Sequence, residues 1–334
     1  ISSSTTTVNG QLVATSGSNA DWSFVRDNAG TGATTVNLTP SAAIAAALGS
    51  SRLEPGITGT LTVSAHVLDK YTNSHIDPFT GTGGSITERD SVTGSVSATA
   101  TVVTALGLPT TLPPSEITDN SNVDLVIPEG SARIFVAAIN GVVVNSFQPG
   151  ETFNVQPGDT ITYAITYNLV TGDYRSLSEA AFMPLPIINV ADPLANGSSV
   201  TAFVEDTAAT TANPLPGAGK YFLYNPSPGM SVASANVNAA SNGITFDLGH
   251  RDDTTNAAGQ RATVLFSFVV TTAPFADGLS LTAQGEASLT NASGTGAPII
   301  DLSGITLNEP NLTQSARTGI ASLVDNGLGA KSAS

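Results

Sequence analysis

The most constraining feature of this chain is a strict two-residue alternation that recurs along most of its length. In Gln156–Tyr167, QPGDTITYAITY, a Pro-Gly-Asp turn opens onto a run in which Ile161, Tyr163, Ile165 and Tyr167 alternate with Thr160, Thr162, Ala164 and Thr166. Successive side chains of a strand point to opposite faces, so this run predicts one apolar face and one hydroxylated face. ATVLFSFVV repeats the pattern with Val264, Phe266, Phe268 and Val270, and GITFDL repeats it with Ile244, Phe246 and Leu248. LSLTA supplies Leu279 and Leu281, TLTVSAHVL supplies Leu61, Val63, Ala65 and Val67, and SVSATATVV supplies Val96, Ala98, Ala100 and Val102. Turn signals separate these runs, among them Pro157-Gly158-Asp159, Asn196-Gly197, Ser227-Pro228-Gly229 and Asn242-Gly243. Half-apolar strands divided by Pro/Gly turns predict an all-β fold of antiparallel sandwiches.

Composition agrees. Only 11% of the 334 residues are charged, where about 25% is usual. Polarity comes from Thr, Ser and Asn, a vocabulary of strands and turns. AAIAAAL, residues 42–48 between Pro40 and Gly49, reads as one brief helix. The formal charge is −15, with no basic cluster to offset it, which argues against nucleic acid and against anionic lipid as partners. There is no cysteine, so disulfides, Cys-zinc sites and thiol nucleophiles are excluded. No run approaches the roughly 18 apolar residues of a membrane span. The ends, ISSSTTT and GLGAKSAS, look like cuts through a longer chain.

Internal similarity suggests repeats. GITGTLTVSAHVLDKYTN at Gly56–Asn73 lies over GQRATVLFSFVVTTAPFADG at Gly259–Gly278, and VIPEGSARIFVAAINGVV from Val126 lies over the stretch from Leu307. The expected frame is the back part of one module in residues 1–125, a complete module in 126–310, and the start of a third, or a tail, in 311–334. Residues 106–122, with Pro109, Pro113 and Pro114, form a stiff joint.

FNVQPGDTITYAITY, LVTGDYRSLSEAAFMPLPIINVADP, ITFDLGHRDD and APFADGLSLTAQGEA, in that order, resemble the repeats of long bacterial surface proteins labelled isopeptide-forming-domain fimbrial proteins, and the wider set of Ig-like surface repeats. The resemblance implies tandem Ig-like β-sandwich modules at an extracellular bacterial surface. It implies a structural role in a filament, surface layer or adhesin, without catalysis. Isopeptide chemistry in such proteins joins a first-strand lysine to an Asn or Asp beside a buried acid. Here the first strand carries Arg133, and the three lysines are Lys70, Lys220 and Lys331, so no such bond is expected.

Other constellations are sparse. His66, His75 and His250 are scattered and form no HExxH or HxH pattern, and no GxSxG occurs. Trp22 and Phe24 in DWSFV read as a core strand. Calcium is the best ionic candidate: DLGHRDD places Asp247, Asp252 and Asp253 at an expected strand-to-loop junction, with Asp277 in the FADG bend. Asp residues also cap turns through backbone contacts, an alternative that stays open. The expected partners are copies of the same chain or neighbouring modules. Recognition of a surface glycan or host by an adhesin module is the rival function.

Overall fold

The computed structural model describes residues 3–8, 11–15, 22–25, 27–38, 59–64, 68–88, 90–98, 119–126, 130–144, 152–170, 172–253, 260–271, 278–291, 294–295 and 297–307. The chain divides into two compact units, Ile1–Ile86 and Thr87–Ser334. Every regular element among the described residues is a strand. The expected helix at 42–48, Ala65, His66 and Val67, and Ala100 and Val102 lie outside those residues.

The first unit contains β1 (Ser3–Val8), β2 (Gln11–Thr15), β3 (Trp22–Val25), β4 (Thr35–Leu38) and β5 (Gly59–Ser64). β1 lies between β2 and β5 in an antiparallel sheet, and β3 pairs with β4 as a separate hairpin. Residues 68–86 form a loop organised by buried carboxylates: Asp77 accepts the Phe79 and Thr80 N–H groups within it, and Asp27 holds its Thr72–Ser74 stretch. Asp27 accepts hydrogen bonds from the backbone N–H of Thr72, of Asn73 at 2.6 Å and of Ser74 at 3.1 Å, and from the Ser74 hydroxyl. Burial alone would raise this carboxyl. The Ser74 hydroxyl and the three amides outweigh it and hold Asp27 well below the usual carboxylate range.

The second unit begins with the ladder of β6 (Ser91–Ala98) and β7 (Asp119–Val126). It continues with β8 (Ser131–Ile139), β9 (Val142–Val143), β10 (Thr152–Val155), β11 (Thr160–Leu169) and β12 (Gly172–Phe182). After these come β13 (Val204–Glu205), β14 (Lys220–Leu223), β15 (Ser234–Asn238), β16 (Gly243–Asp253) and β17 (Gln260–Val269). β18 (Leu279–Asn291), β19 (Gly294–Thr295) and β20 (Ile299–Leu307) complete it. Two sheets face each other: a six-stranded sheet in the order β13-β14-β17-β11-β8-β9, and a seven-stranded one in the order β10-β20-β18-β12-β16-β15 with β19 beside β18. The fold is an all-β sandwich. Its pairs are antiparallel except β10–β20 and β13–β14, which are parallel and make both sheets mixed.

The alternation of the sequence sets the core. Ile161, Tyr163, Ile165, Tyr167, Val264, Phe266, Phe268, Val270, Ile244 and Phe246 are all fully buried. The aromatic rings meet in tilted and edge-on pairs, Phe246–Phe266 at 5.3 Å and Phe266–Phe268 at 5.5 Å. LSLTA departs from expectation: Leu279 is exposed and Leu281 only half-buried, because they lie at the start of β18, beside the end of β20. Gly285 of β18 is needed for the two sheets to close. A Cβ there would stand 2.7 Å from the Ile134 Cβ on the opposite sheet. The edge of β8 is covered from that same sheet, since the Asp301 carboxylate accepts the Ile134 N–H at 2.9 Å.

The Pro-Gly-Asp turn does what the sequence requires of it. Gly158 adopts φ +90°, and Asp159 accepts the Gln156 N–H at 2.7 Å and the Asn140 amide at 2.7 Å. Asn242 does more than turn the chain. It is buried at φ +48°, donates to the Met183 and Ile188 carbonyls, and accepts the Val190 N–H at 3.0 Å.

Candidate functional site

The chemistry-bearing groups of the second unit occur in three settings: inside the sandwich, along β16, and in an open groove at one end of the sheets.

Inside the sandwich, Leu177, Glu179 and Ala181 share the core face of β12, and Glu179 is fully buried. Neither carboxylate oxygen makes a hydrogen bond among the described residues. Burial pushes the Glu179 carboxyl well above its ordinary range, and the Tyr167 backbone N–H, outside normal hydrogen-bond geometry, offsets this only in part. Burial thus favours the neutral form of Glu179. Tyr163, on the facing sheet, is also fully buried with its hydroxyl unpaired, and burial raises that phenol too. The sequence reading did not single out Glu179. The signal was present, because the alternation of LSEAA puts Glu179 in phase with Leu177 and Ala181.

A buried acid is one of the three parts of isopeptide chemistry, but an amine does not accompany it. Neither described lysine is buried: Lys70 pairs with Ser85 across a bridge, and Lys220 makes a 3.4 Å ion pair with Asp206. Asp206 is held below the usual carboxylate range by the Gly217 and Ala208 amides together with Lys220. Arg133 occupies the exposed face of β8, so its guanidinium points away from the core. Lys331 lies outside the described residues.

A second buried acid has a different task. Glu88 accepts hydrogen bonds from the Gly130 N–H and the Tyr167 hydroxyl, and its carbonyl accepts the Asn291 side-chain amide at 2.8 Å. It ties the entry of the unit to β11 and to the end of β18.

Of the expected calcium ligands, Asp247, Asp252 and Asp253 all lie on β16, which runs from Gly243 to Asp253 and bends at Gly249, φ +72°. Asp247 is exposed, and it accepts the Gly249 N–H at 2.8 Å in the turn-capping manner. The backbones of Asp252 and Asp253 pair with Asp173 and Gly172, and Asp277 lies outside the described residues.

His250 belongs to this strand too. It is half-buried, with its Nε2 3.5 Å from an Asp173 carboxylate oxygen. His75, in the first unit, stacks on Tyr71 at 4.3 Å.

The groove, of about 470 Å³, is lined by Asn168, Leu169, Gln260 and Arg261 on one side and by residues 225–227 on the other. The Ser227 hydroxyl accepts the Arg261 N–H at 3.0 Å, which links the two stretches. Amides and a guanidinium in an open groove suit a hydroxyl-rich ligand better than an apolar one.

No family model matches the chain, and no curated relative does. Among solved structures it is similar to the C-terminal domain of the Streptococcus agalactiae AgI/II polypeptide BspA, at 10% identity and a TM-score of 0.33, covering 90% of this chain and 83% of that one. It is similar to the C-terminal domain of the Streptococcus pyogenes antigen I/II-family protein AspA, at 11% identity and 0.29, covering 65% and 55%. It is similar as well to BcpA, the major pilin subunit of Bacillus cereus, at 12% identity and 0.25, covering 58% and 53%. Likenesses at this level carry no argument about what the chain does.

Proposed function

We propose that this chain is a structural, non-catalytic segment or subunit of a bacterial extracellular surface assembly, such as a fimbria-like filament, a surface layer or a long adhesin. The observation that carries this reading is the make-up of the outward sheet faces. They display hydroxyl, amide and apolar side chains in cross-strand rows, in place of the dense mixed charge of an ordinary surface. Such faces suit lateral packing of many copies. The modular frame, with a joint at 106–122, belongs to this reading.

Antibody-gold electron microscopy on intact cells of the source organism tests it. Label on ordered structures at the cell envelope is the expected result, and label confined to the cell interior refutes the proposal. Calcium enters as a subsidiary proposal, with Asp247, Asp252, Asp253 and Asp277 supplying oxygens. Chelation is then expected to lower the thermal midpoint of the protein. An unchanged midpoint removes calcium from the reading.

The second reading, a glycan-binding adhesin module, is favoured by the polar groove at Asn168, Asn225 and Arg261. Glycan-array binding that is lost in Asn225→Ala supports it, and a blank array counts against it.

A further inference from the structure

The two outward faces of the sandwich differ in charge. On the six-stranded sheet one row crosses four strands in register: Phe135, Ala164, Leu265 and Phe222. Ala164 and Leu265 are buried between the two half-buried phenylalanines, with Tyr224 packed beside them. The next row holds Arg133 beside Thr166, and the row after it pairs Asn168 with Arg261. Both arginines are exposed, and none of the described outward positions on β8, β11, β14 or β17 carries a carboxylate. In a chain of net charge −15, this face is basic and aromatic.

The seven-stranded sheet shows the converse. Ile300 pairs with Glu286 and Glu286 with Ala180, while Leu302 pairs with Gln284 and Gln284 with Phe182. Ile300 and Leu302 are 54% and 58% exposed, the most exposed of the described outward apolar groups on this face. Asp247 is exposed one row on, paired with Ser178, and Glu286 is half-buried beside the Gln284 amide at 2.6 Å. Outward positions at 178–182, 243–247, 280–290 and 300–306 carry these two carboxylates and no lysine or arginine.

The spacing of the charges matches. Arg133 and Arg261 stand two strands apart and one outward row offset, and so do Glu286 and Asp247. With strands about 4.8 Å apart and rows about 6.8 Å apart, each pair spans about 12 Å. Two charges of one sign can therefore meet two of the other while the aromatic row meets Ile300, Leu302 and Phe182.

From this juxtaposition we infer that the six-stranded face of one copy of the chain docks on the seven-stranded face of another. The partner is a second copy because the charges and their spacing complement within the same molecule. The two patches are different surfaces, so the contact is head-to-tail and does not close on itself, and copies add into an open array. A four-strand face of about 20 Å by 20 Å is small for a stable interface, so each contact is weak and depends on crowding or tethering at a surface. The net negative charge opposes association at long range. At about 0.1 M salt the screening length is about 10 Å, which damps that repulsion but leaves contact pairs attractive.

This inference rests on the proposed surface role, and its test is independent of that role. The full chain is followed by sedimentation velocity over a concentration series reaching about 1 mM, since millimolar dissociation constants are within reach of such small faces. The expected result is a sedimentation coefficient that rises with concentration at about 0.1 M salt and falls back toward the monomer near 1 M. Arg133→Glu with Arg261→Glu, and separately Asp247→Arg with Glu286→Arg, each weaken association roughly tenfold or more. Mixing the two double variants restores it, because reversed faces complement each other, and that recovery also shows that both are folded. A chain that stays monomeric throughout overturns the inference, as do variants that associate like the parent. Loss in both variants without recovery on mixing overturns it as well, provided that their thermal midpoints match the parent. None of these results alters where antibody label falls on the cell, so the surface role stands or falls separately.

Discussion

Asp27 in the first unit and Glu179 in the second are both buried carboxyls, and their surroundings make them opposites. Asp27 sits at the centre of the loop from Thr72 to Ser74, with backbone amides and a hydroxyl aimed at its two oxygens. Charge is what holds that loop. Glu179 sits between two sheets of aliphatic and aromatic side chains, with no hydrogen bond to either oxygen among the described residues, and its burial favours the neutral form. There the hydrophobic core holds the carboxyl. Burial works against ionisation in both places, and the number of donors decides which way each carboxyl goes.

The comparison breaks first at the aromatic core. Phe266 touches Tyr163, Phe246 and Phe268, so Phe266→Ala is expected to cost the second unit about 4 kcal/mol, read as a shift in urea midpoint. A loss under about 1 kcal/mol would mean that the apolar packing is not what supports this unit.

Next comes the polar hub. Asp27→Ala strands several donors at once and is expected to destabilise the first unit by about 3 kcal/mol. The readout is faster hydrogen exchange at the amides of Thr72, Asn73 and Ser74, with the second unit's core amides as the internal reference. Because the folded carboxyl lies below its ordinary 3.8, its stabilisation is present above that pH and lost as the pH falls below it. Unchanged protection at those three amides would show that the loop is organised by something else.

The smallest effect sharpens the contrast most. The Glu179 carboxyl is raised above its ordinary 4.5, so between that pH and its folded value the unfolded chain binds fewer protons than the native one. Stability contributed by this group is complete below about pH 4.5 and declines as the pH rises, by at most about 1.4 kcal/mol per pH unit. Glu179→Gln removes that slope. Urea midpoints for parent and variant from pH 4.5 to about 8 should diverge as the pH rises, with the glutamine form relatively more stable at the upper end. Parallel curves would mean that Glu179 titrates normally.

Much of the fold was legible because strand alternation is local. The inward residues of β11, β16 and β17 could be named from period two alone, and so could the turn at Pro157-Gly158-Asp159. Contacts between segments distant in sequence left no such local signal. On the hydroxylated face of QPGDTITYAITY, Thr162 is buried, sharing a 2.8 Å hydrogen bond with Ser267, and Ser267 donates at 2.8 Å to the Pro216 carbonyl. A loop distant in sequence covers that end of the sheet, which no local pattern announces.

By itself the sequence determined an all-β fold, which face of most long strands is apolar, where the hard turns lie, and that no cysteine or basic cluster is present. Those properties belong to residues within a few positions of one another. The tertiary structure decided which strands are neighbours, and hence that two of the pairs are parallel. It also decided that the Glu179 carboxyl is raised while that of Asp27 is lowered, and that two arginines and two carboxylates fall on opposite faces at one spacing. Each of these depends on strand order and register, which join residues far apart in the chain, and alternation is blind to both.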